Sequence, residues 1–320
     1  MCRHLGYLGP PAAVGEILTR GPHSLRTQAW APTDMRRGGT INADGFGVAW
    51  WVPEVVATAD IGDGAGRAGI GDGTEAGPGR IGGRAPIRLR ASRYRNPAPI
   101  WTDPAVDEVL PQLRSTAVLG AVRSATVGMP VERSACAPFV DGCWAFSHNG
   151  VIPEWRAVLP EVAAQFGAPD LLTAEAATDS AALWVIVRAA LSGRTGAVEA
   201  RTGDMSEPRA DASVATDEVA DVLAGTALAI LARAPAARLN LLLADGGTLW
   251  ATTVYHSLSV LVTDELAVVA SEPYDDDPRW RPIADRQVLT MRPGHLTVTS
   301  LDSRPSLLSA GPDESERARS

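Results

Sequence analysis

Apolar residues along this chain form two patterns: short runs toward both ends, and helical spacing in the middle. Short runs that are rich in aromatic and β-branched side chains are typical of strands. In the first half of the chain such runs predict strands at 2–9, 46–51, 117–122 and 144–148. The pair Asn149-Gly150, common in hairpin turns, is predicted to close the last of them.

In the middle of the chain, apolar residues recur every three or four positions. This spacing predicts three helices, at 153–165, 179–191 and 217–234. In the second helix the apolar side chains fall on one face, which indicates packing against a sheet. A shorter helix is predicted at 12–18.

After Pro235 the apolar runs become short again and are joined by tight turns, which predicts more strands. The last two, at 287–291 and 295–299, are predicted to form a hairpin around Pro293-Gly294. The order is strands, helices, strands, without the strict alternation that a Rossmann-like parallel sheet requires. We therefore expect an α+β fold in which two antiparallel sheets pack face to face, with helices outside.

Two stretches are predicted to interrupt a single domain that spans 2–302. Glycine dominates 60–84, and 202–216 is polar and broken by Gly and Pro. Neither can bury enough apolar surface to order itself, so both are predicted to be flexible insertions. The polar tail at 303–320 is predicted to be disordered.

Composition narrows the classes of partner. The formal net charge of -8 argues against nucleic acid or an anionic membrane, so a small-molecule substrate is expected. All 29 basic residues are arginine, which excludes a Schiff-base or phosphate-loop lysine. Three cysteines are too few, and odd in number, for a disulfide framework.

The amino-terminal residues do not have the pattern of a secretory signal. No run of about 18 apolar residues, the length of a membrane-spanning helix, occurs in the chain. We therefore expect a cytoplasmic protein.

Cys2 directly follows the initiator methionine, and a small residue at this position permits removal of Met1. Removal frees an α-amino group with a reference pKa of about 8, on the same Cα as a thiol of reference pKa about 8.5. One residue then holds both a nucleophile and a base, the pairing needed for covalent acyl transfer. Many proteins begin Met-Cys, so Cys2 indicates catalysis only if it has partners.

Three further positions could supply those partners, although each has a plainer explanation. The Asn149 amide and the Gly150 N–H could stabilise an oxyanion, but Asn-Gly is also the commonest hairpin turn. Arg123 follows an apolar strand and could clamp a carboxylate, or be an ordinary solvated side chain. Asp179, in the triplet Thr178-Asp179-Ser180, could bind an ammonium group or simply cap a helix.

In this order along the chain, Cys2, Arg123, Asn149-Gly150 and Asp179 resemble the class II glutamine amidotransferase family of N-terminal-nucleophile hydrolases. The resemblance implies a four-layer αββα sandwich with Cys2 as nucleophile and Asn149 and Gly150 as oxyanion donors. It also implies that Arg123 and Asp179 bind the carboxylate and ammonium groups of a glutamyl substrate. The family's arginine strand often continues to a histidine that is missing here, which makes Thr126 a candidate contributor to the carboxylate pocket.

Longer segments resemble the γ-glutamyl amidohydrolase family of ergothioneine biosynthesis, among them CRHLGYLGPP, SRYRNPAPIWTD and CAPFVDGCWAFSHNGVI. This resemblance implies hydrolysis of γ-glutamyl-hercynylcysteine sulfoxide through a Cys2 thioester, without a metal or organic cofactor. The leaving part of that substrate carries a trimethylammonium group, which aromatic rings can bind through cation–π contacts. Trp30, Tyr94 and Trp101 are candidates for this role, with ordinary packing as the alternative.

Two other functions stay open. The first is a general glutaminase or γ-glutamyl peptide hydrolase of the same superfamily. The second is a metal or redox binding protein that uses Cys2, His4, Cys136, Cys143 and His148. Cys136 and Cys143 have six residues between them, more than the two to four typical of structural zinc sites. The sequence does not predict an oligomeric state.

Overall fold

A computed structural model of the chain describes residues 2–34, 41–55, 87–201 and 211–303. The predicted insertion at 60–84 and residues 304–320 of the predicted tail lie outside these ranges. Residues 202–210 of the second predicted insertion also lie outside them, whereas its last residues belong to a helix that begins at Asp211.

The described residues form two antiparallel sheets of seven and six strands. In chain order the strands are β1 (Arg3–Ala13), β2 (Phe46–Val55), β3 (Ile87–Asn96), β4 (Arg114–Val122), β5 (Phe139–Asp141), β6 (Trp144–Val151), β7 (Arg238–Ala244), β8 (Leu249–Thr253), β9 (Ser259–Val262), β10 (Ala267–Ala270), β11 (Arg281–Pro282), β12 (Gln287–Arg292) and β13 (His295–Ser300). Sheet A has the order β11-β9-β10-β1-β4-β2-β3, and sheet B has the order β13-β12-β8-β7-β6-β5.

Helices cover the outer face of each sheet. They are α1 (Val14–Thr19), α2 (Leu25–Gln28), α3 (Ala105–Glu108), α4 (Trp155–Gln165), α5 (Asp179–Arg201) and α6 (Asp211–Arg233). Short 3-10 segments occur at Ile100–Thr102, Leu110–Gln112, Arg133–Ala135, Leu171–Thr173 and Leu301–Ser303. The three short helices α1 to α3 pack on sheet A, and the longer α4 to α6 pack on sheet B.

Three apolar layers hold these elements together, which confirms the four-layer α+β sandwich. Between the sheets, Leu119 and Leu242 belong to one buried cluster. The helices α4 to α6 pack on sheet B through a second cluster, in which the Phe146 and Trp184 rings stack with centroids 5.4 Å apart. A third cluster joins sheet A to α1 and α2.

The central strand β1 is covered on both faces, which explains why its sequence alternates only in part. Leu5 and Tyr7 face the outer helices, whereas Leu8 faces the other sheet. Gly6 lies where a Cβ would be 2.9 Å from a methyl group of Leu249. A strand buried on both faces needs apolar or small residues at every position rather than at alternate ones.

The predicted helices and terminal hairpin are confirmed, with shifted ends. The helix predicted at 179–191 continues to Arg201, and Leu183, Ile186, Val187 and Ala190, which share one predicted face, all belong to the buried cluster between sheet B and the helices. The hairpin at 287–299 forms as β12 and β13. Within the described ranges, no helix is both long enough and apolar enough to cross a bilayer.

Leu243 belongs to β7 and is fully buried between sheet B and the helices. Its truncation should lower the free energy of unfolding. The variant Leu243→Ala loses apolar contacts and leaves a cavity, so we expect the free energy of unfolding to fall by about 2–5 kcal/mol. The matched control is Leu172→Ala, because Leu172 is 90% exposed, and its effect should stay within about 0.5 kcal/mol. Urea unfolding of both variants measures the difference, and equal losses would contradict the assignment of this core.

Candidate active site

The start of β1 and the end of β4 meet at one edge of the sandwich. Arg3 pairs with Val122 across these antiparallel strands, which places Cys2 beside the strand end that leads into Arg123. Strand β6 of the other sheet faces the same edge, where His4 Nδ1 is 3.4 Å from Ser147 Oγ. Residues far apart in the sequence therefore come together here.

Cys2 lines a small pocket at this edge. Its partly buried thiol is 3.8 Å from the backbone oxygen of Ser124. Arg123, His148 and Ser180 line the same pocket, and most of the remaining wall is apolar. The pocket thus combines a thiol, a guanidinium group and an imidazole with apolar side chains.

Arg123 is held in place by its backbone and by one side-chain contact. Its N–H donates to the Gly45 oxygen at 2.8 Å, and its own oxygen accepts from Asp44 N at 3.0 Å. The Nη1 atom donates to the Pro130 oxygen at 2.8 Å. Among the described residues no carboxylate forms an ion pair with this guanidinium. Its remaining donors are therefore available to a ligand carboxylate.

Asn149 and Gly150 lie inside strand β6, so the prediction that they form a hairpin turn is wrong. They pair with Asn240 and Leu239 of β7. Gly150 does not have the positive φ that such a turn requires. A Cβ at this position would instead lie 1.8 Å from the Arg238 backbone oxygen. Glycine is needed at 150 because two strands approach closely.

The Asn149 amide is buried between the sheets. Its side chain is 1% exposed, and Nδ2 donates to Ser271 Oγ at 3.3 Å. The Oδ1 atom has no hydrogen-bond partner among the described residues. Nearly all buried polar atoms in proteins are hydrogen-bonded, so an amide left half-satisfied at this place suits a ligand-binding role.

His148 joins β6 to the first turn of α5. Its Nδ1 is 3.0 Å from Ser180 Oγ, and its Nε2 is 2.8 Å from the Arg238 oxygen. Because a backbone oxygen can only accept, Nε2 carries a proton. Both ring nitrogens are therefore engaged, and His148 fixes the helix end against the pocket.

Asp179 is the first residue of α5, next to Ser180, and is 7% exposed. Its Oδ2 accepts from Ile152 N at 3.0 Å, and its Oδ1 accepts from Ser180 N at 2.8 Å. The capping bond of the helix comes from Thr178, whose Oγ1 accepts from Ala181 N at 3.2 Å. Asp179 therefore fastens β6 to α5, and each of its oxygens retains capacity to accept from a substrate ammonium group.

A buried ion pair holds the residue next to Cys2. Arg3 and Glu272 side chains are each 3% exposed, with Arg3 Nη2 2.8 Å from Glu272 Oε1. Arg3 Nη1 also donates to the Cys2 oxygen at 3.1 Å. The other carboxylate oxygen accepts from Thr33 N at 2.9 Å and from Thr33 Oγ1 at 2.6 Å. This pair fixes the backbone of Cys2 to the loop after α2.

Two histidines near the pocket are neutral over a wide pH range. Burial, reinforced by His148 and His256, lowers the pKa of His4 to about 3. Burial, reinforced by Arg238 and Arg3, lowers the pKa of His256 to about 3. His4 therefore supplies no charge at neutral pH.

The other two thiols are held protonated at neutral pH. Burial raises the pKa of Cys136 to about 11, and burial also raises the pKa of Cys143. Neither forms a disulfide. Within the described ranges, no group of three or more His, Cys, Asp or Glu side chains is arranged to hold a metal ion.

The pocket lining includes Cys2 and Arg123 but not Asn149, Gly150 or Asp179, nor the four remaining candidates Thr126, Trp30, Tyr94 and Trp101. Thr126 is exposed on the loop after Arg123. Trp30 and Trp101 are 56% and 40% exposed, and Tyr94 donates its hydroxyl to Asp103 Oδ2 at 2.7 Å. The Tyr94 ring packs in the outer cluster of sheet A, as in the packing alternative. The roles of all four stay predictions.

Sequence reasoning missed Arg3, Ser271 and Glu272. Ser271 and Glu272 directly follow the apolar strand β10, which neighbours β1. A pair of polar residues after a buried strand was the available signal. Its partner could not be identified, because Glu272 and Arg3 are 269 positions apart.

Two curated relatives align over most of the chain. The γ-glutamyl-hercynylcysteine sulfoxide hydrolase of Mycolicibacterium smegmatis is 35% identical over 301 residues, which cover 94% of this chain and 100% of the relative. The protein of the same name from Mycobacterium tuberculosis is 36% identical over 302 residues, which cover 94% of this chain and 97% of that relative. No family model matches the chain.

Two solved structures share the fold. A glutamine aminotransferase class-II domain protein from Silicibacter pomeroyi superposes with a TM-score of 0.52 at 19% identity, covering 95% of this chain and 100% of that one. The glutamine phosphoribosylpyrophosphate amidotransferase of B. subtilis gives a TM-score of 0.50 at 14% identity, and the match covers 95% of this chain and 50% of that one. At these identities the similarity supports the fold alone.

The substitution Gly150→Ala should disrupt the pairing of β6 with β7. Since the new Cβ would overlap the Arg238 oxygen, β6 and β7 must separate locally, and we expect a loss of about 1–3 kcal/mol in the free energy of unfolding. The matched control is Gly193→Ala in α5, where a Cβ meets nothing within 4 Å. That change should be neutral or stabilising by up to about 1 kcal/mol. Equal thermal shifts in the two variants would contradict the close approach at Gly150.

The buried His4 should make stability fall in mild acid. The pKa of His4 is about 6.5 in the unfolded chain and is lowered to about 3 in the folded protein. The stabilisation that comes from keeping His4 neutral is therefore complete above pH 6.5 and is lost as the pH falls toward 3. From pH 6.5 to 5 the loss is on the order of 2 kcal/mol for one histidine. The variant His4→Gln should show a correspondingly shallower slope in urea unfolding between pH 7 and 5. An unchanged slope would mean that folded His4 accepts a proton.

Proposed function

Because the chain belongs to the family of the γ-glutamyl-hercynylcysteine sulfoxide hydrolases, we propose that it hydrolyses the γ-glutamyl amide bond of γ-glutamyl-hercynylcysteine sulfoxide. The products are glutamate and hercynylcysteine sulfoxide, in ergothioneine biosynthesis. The chain aligns with the whole of one relative and nearly all of the other.

The observation that carries this proposal is the pocket shared by the Cys2 thiol and the Arg123 guanidinium. A thiol on a residue with its own α-amine can attack an amide carbonyl. A guanidinium that has no carboxylate partner in the described part of the chain supports recognition of the glutamyl α-carboxylate. In this role Asp179 pairs with the α-ammonium group, and its neighbour Ser180 lines the pocket.

Acylation of Cys2 is the first half of the reaction. The α-amine of Cys2, directly or through a water, takes the thiol proton, and the thiolate attacks the γ-carbonyl carbon. The oxyanion that forms is stabilised by Asn149 Nδ2 and Gly150 N–H, where one donor is typically worth about 10²–10³ in rate. The C–N bond then breaks, and the departing nitrogen takes the proton from the Cys2 ammonium group.

Hydrolysis of the thioester completes the cycle. The Cys2 amine removes a proton from water, the hydroxide adds to the thioester carbonyl, and the same two donors hold the second oxyanion. The C–S bond breaks, the thiolate regains its proton, and glutamate leaves. Each step uses protein groups and water, so no metal or organic cofactor takes part.

A small molecule is the partner that this function requires. The net charge of -8 favours neither nucleic acid nor an anionic membrane as a second partner. The proposed site of action is the cytoplasm, where the substrate would be made. Trp30, Tyr94 and Trp101 are kept as proposals for contact with the trimethylammonium group, together with Thr126 for the carboxylate.

Cys2→Ala should abolish hydrolysis, because the variant has no atom that can form the thioester. We expect turnover to fall by roughly 10⁴-fold or more, as measured by glutamate release. The intact mass of the active wild-type protein should lack Met1. The matched control is Cys143→Ala, which removes a thiol from a different surface and should keep activity. An active enzyme that retains Met1 would overturn the mechanism.

The same assay separates the proposed substrate from the alternative of a general glutaminase. The value of kcat/KM should be higher for γ-glutamyl-hercynylcysteine sulfoxide than for glutamine. Faster turnover of glutamine would contradict the substrate assignment and leave the Cys2 chemistry intact.

A further inference from the structure

Ser271 lies directly after β10 and holds the backbone of β1 two residues from Cys2. Its N–H donates to the His4 oxygen at 3.0 Å, and its Oγ accepts from His4 N at 3.0 Å. Ser271 is 1% exposed. Both backbone polar groups of His4 are therefore bound by this one residue.

The same hydroxyl reaches across to the other sheet. Ser271 Oγ is 3.3 Å from Nδ2 of the Asn149 amide. With that amide orientation, both lone pairs of the hydroxyl oxygen accept, and its proton has no acceptor among the described residues. At the same time Asn149 Oδ1 is buried and lacks a donor. A donor and an acceptor are thus both unsatisfied on neighbouring side chains.

A half-turn of the Asn149 amide about its Cβ–Cγ bond resolves this mismatch. The oxygen then faces Ser271 and accepts its hydroxyl proton, while Ser271 still accepts from His4 N. The NH₂ group takes the place that Oδ1 had, where it has no internal partner. A buried donor left free in this way is what a developing oxyanion needs.

We propose that Ser271 is a positioning residue that orients the Asn149 amide, with its hydroxyl accepting from His4 N and donating to Asn149 Oδ1. Ser271 then links the strand of the nucleophile to the side chain that stabilises the oxyanion. Because Ser271 binds the backbone of His4, two residues from Cys2, one hydroxyl fixes the spacing between the attacking thiol and the oxyanion donor. This role rests on the proposed function of Cys2 and Asn149.

The variant Ser271→Ala tests the proposal. It leaves the Asn149 amide free to turn, so we expect kcat to fall by about 10- to 100-fold, somewhat less than the loss of a whole oxyanion donor. KM should change little, since Arg123 and Asp179 are untouched. Ser271→Cys, whose thiol is a weaker donor and acceptor, should lie between the wild type and Ser271→Ala.

Ser115→Ala is the matched control. Ser115 is also buried and also binds both backbone groups of a neighbouring residue, with Oγ donating to the Trp51 oxygen at 3.0 Å and accepting from Trp51 N at 3.1 Å. It lies at the other end of β4 from the pocket and touches no oxyanion donor. Both alanine variants should lower Tm, and only Ser271→Ala should lower kcat strongly.

The double variant Ser271→Ala/Asn149→Ala distinguishes an error in the positioning role of Ser271 from an error in the oxyanion role of Asn149. If Ser271 acts through Asn149, the Ser271→Ala change should have no further effect on kcat in the Asn149→Ala background. Equal fold-losses in both backgrounds, or a kcat for Ser271→Ala like that of Ser115→Ala, would overturn the positioning role alone. Full activity of Asn149→Ala would instead overturn the oxyanion assignment in the proposed function, and this inference with it.

Discussion

The ion pair between Arg3 and Glu272 is the interaction on which the geometry around Cys2 depends. Burial of two charges is costly, and the cost is offset only when the remaining hydrogen-bonding groups are also satisfied. Here Arg3 donates to the Cys2 oxygen and to the backbone oxygen of Asp34, and Glu272 accepts twice from Thr33. Such a pair contributes little net stability, but it specifies one position for the start of β1.

Burial also determines the electrostatics of this region. The sheets pack closely enough to keep His4 and His256 neutral, and the charge of Arg3 is neutralised by Glu272. The Arg238 guanidinium lies 4.7 Å from the centre of the Tyr255 ring, outside the pocket itself. Within the described ranges, Arg123 lines the pocket and has no ion-pair partner, which favours an anionic group next to Cys2.

The sequence predicts the architecture well because strands and helices produce different apolar spacings. It fails where tertiary contacts decide the local conformation. Asn149-Gly150 is typical of a turn, yet pairing with β7 keeps these residues in a strand. The contacts of Ser271 and Glu272 join positions about 270 residues apart, which no local pattern records. The family resemblance predicts the order of the candidate residues Cys2, Arg123, Asn149 and Asp179, and the contacts of Arg3, Ser271 and Glu272 become visible only in the structure.

The register of β10 against β1 sets a limit on changes in chain length. Ala270 lies opposite Leu5, and Ser271 and Glu272 then bind opposite faces of β1, through His4 and Arg3 respectively. Deletion of one residue within 267–270 would place the Glu272 carboxylate beside the Asn149 amide, whereas insertion of one residue would place Ala270 there and move Ser271 to the opposite face. A two-residue change would restore the faces but displace the pair by about 6.6 Å. In an alignment of homologous chains, a gap at 267–272 would therefore mark chains that keep the four-layer fold but have lost hydrolase activity.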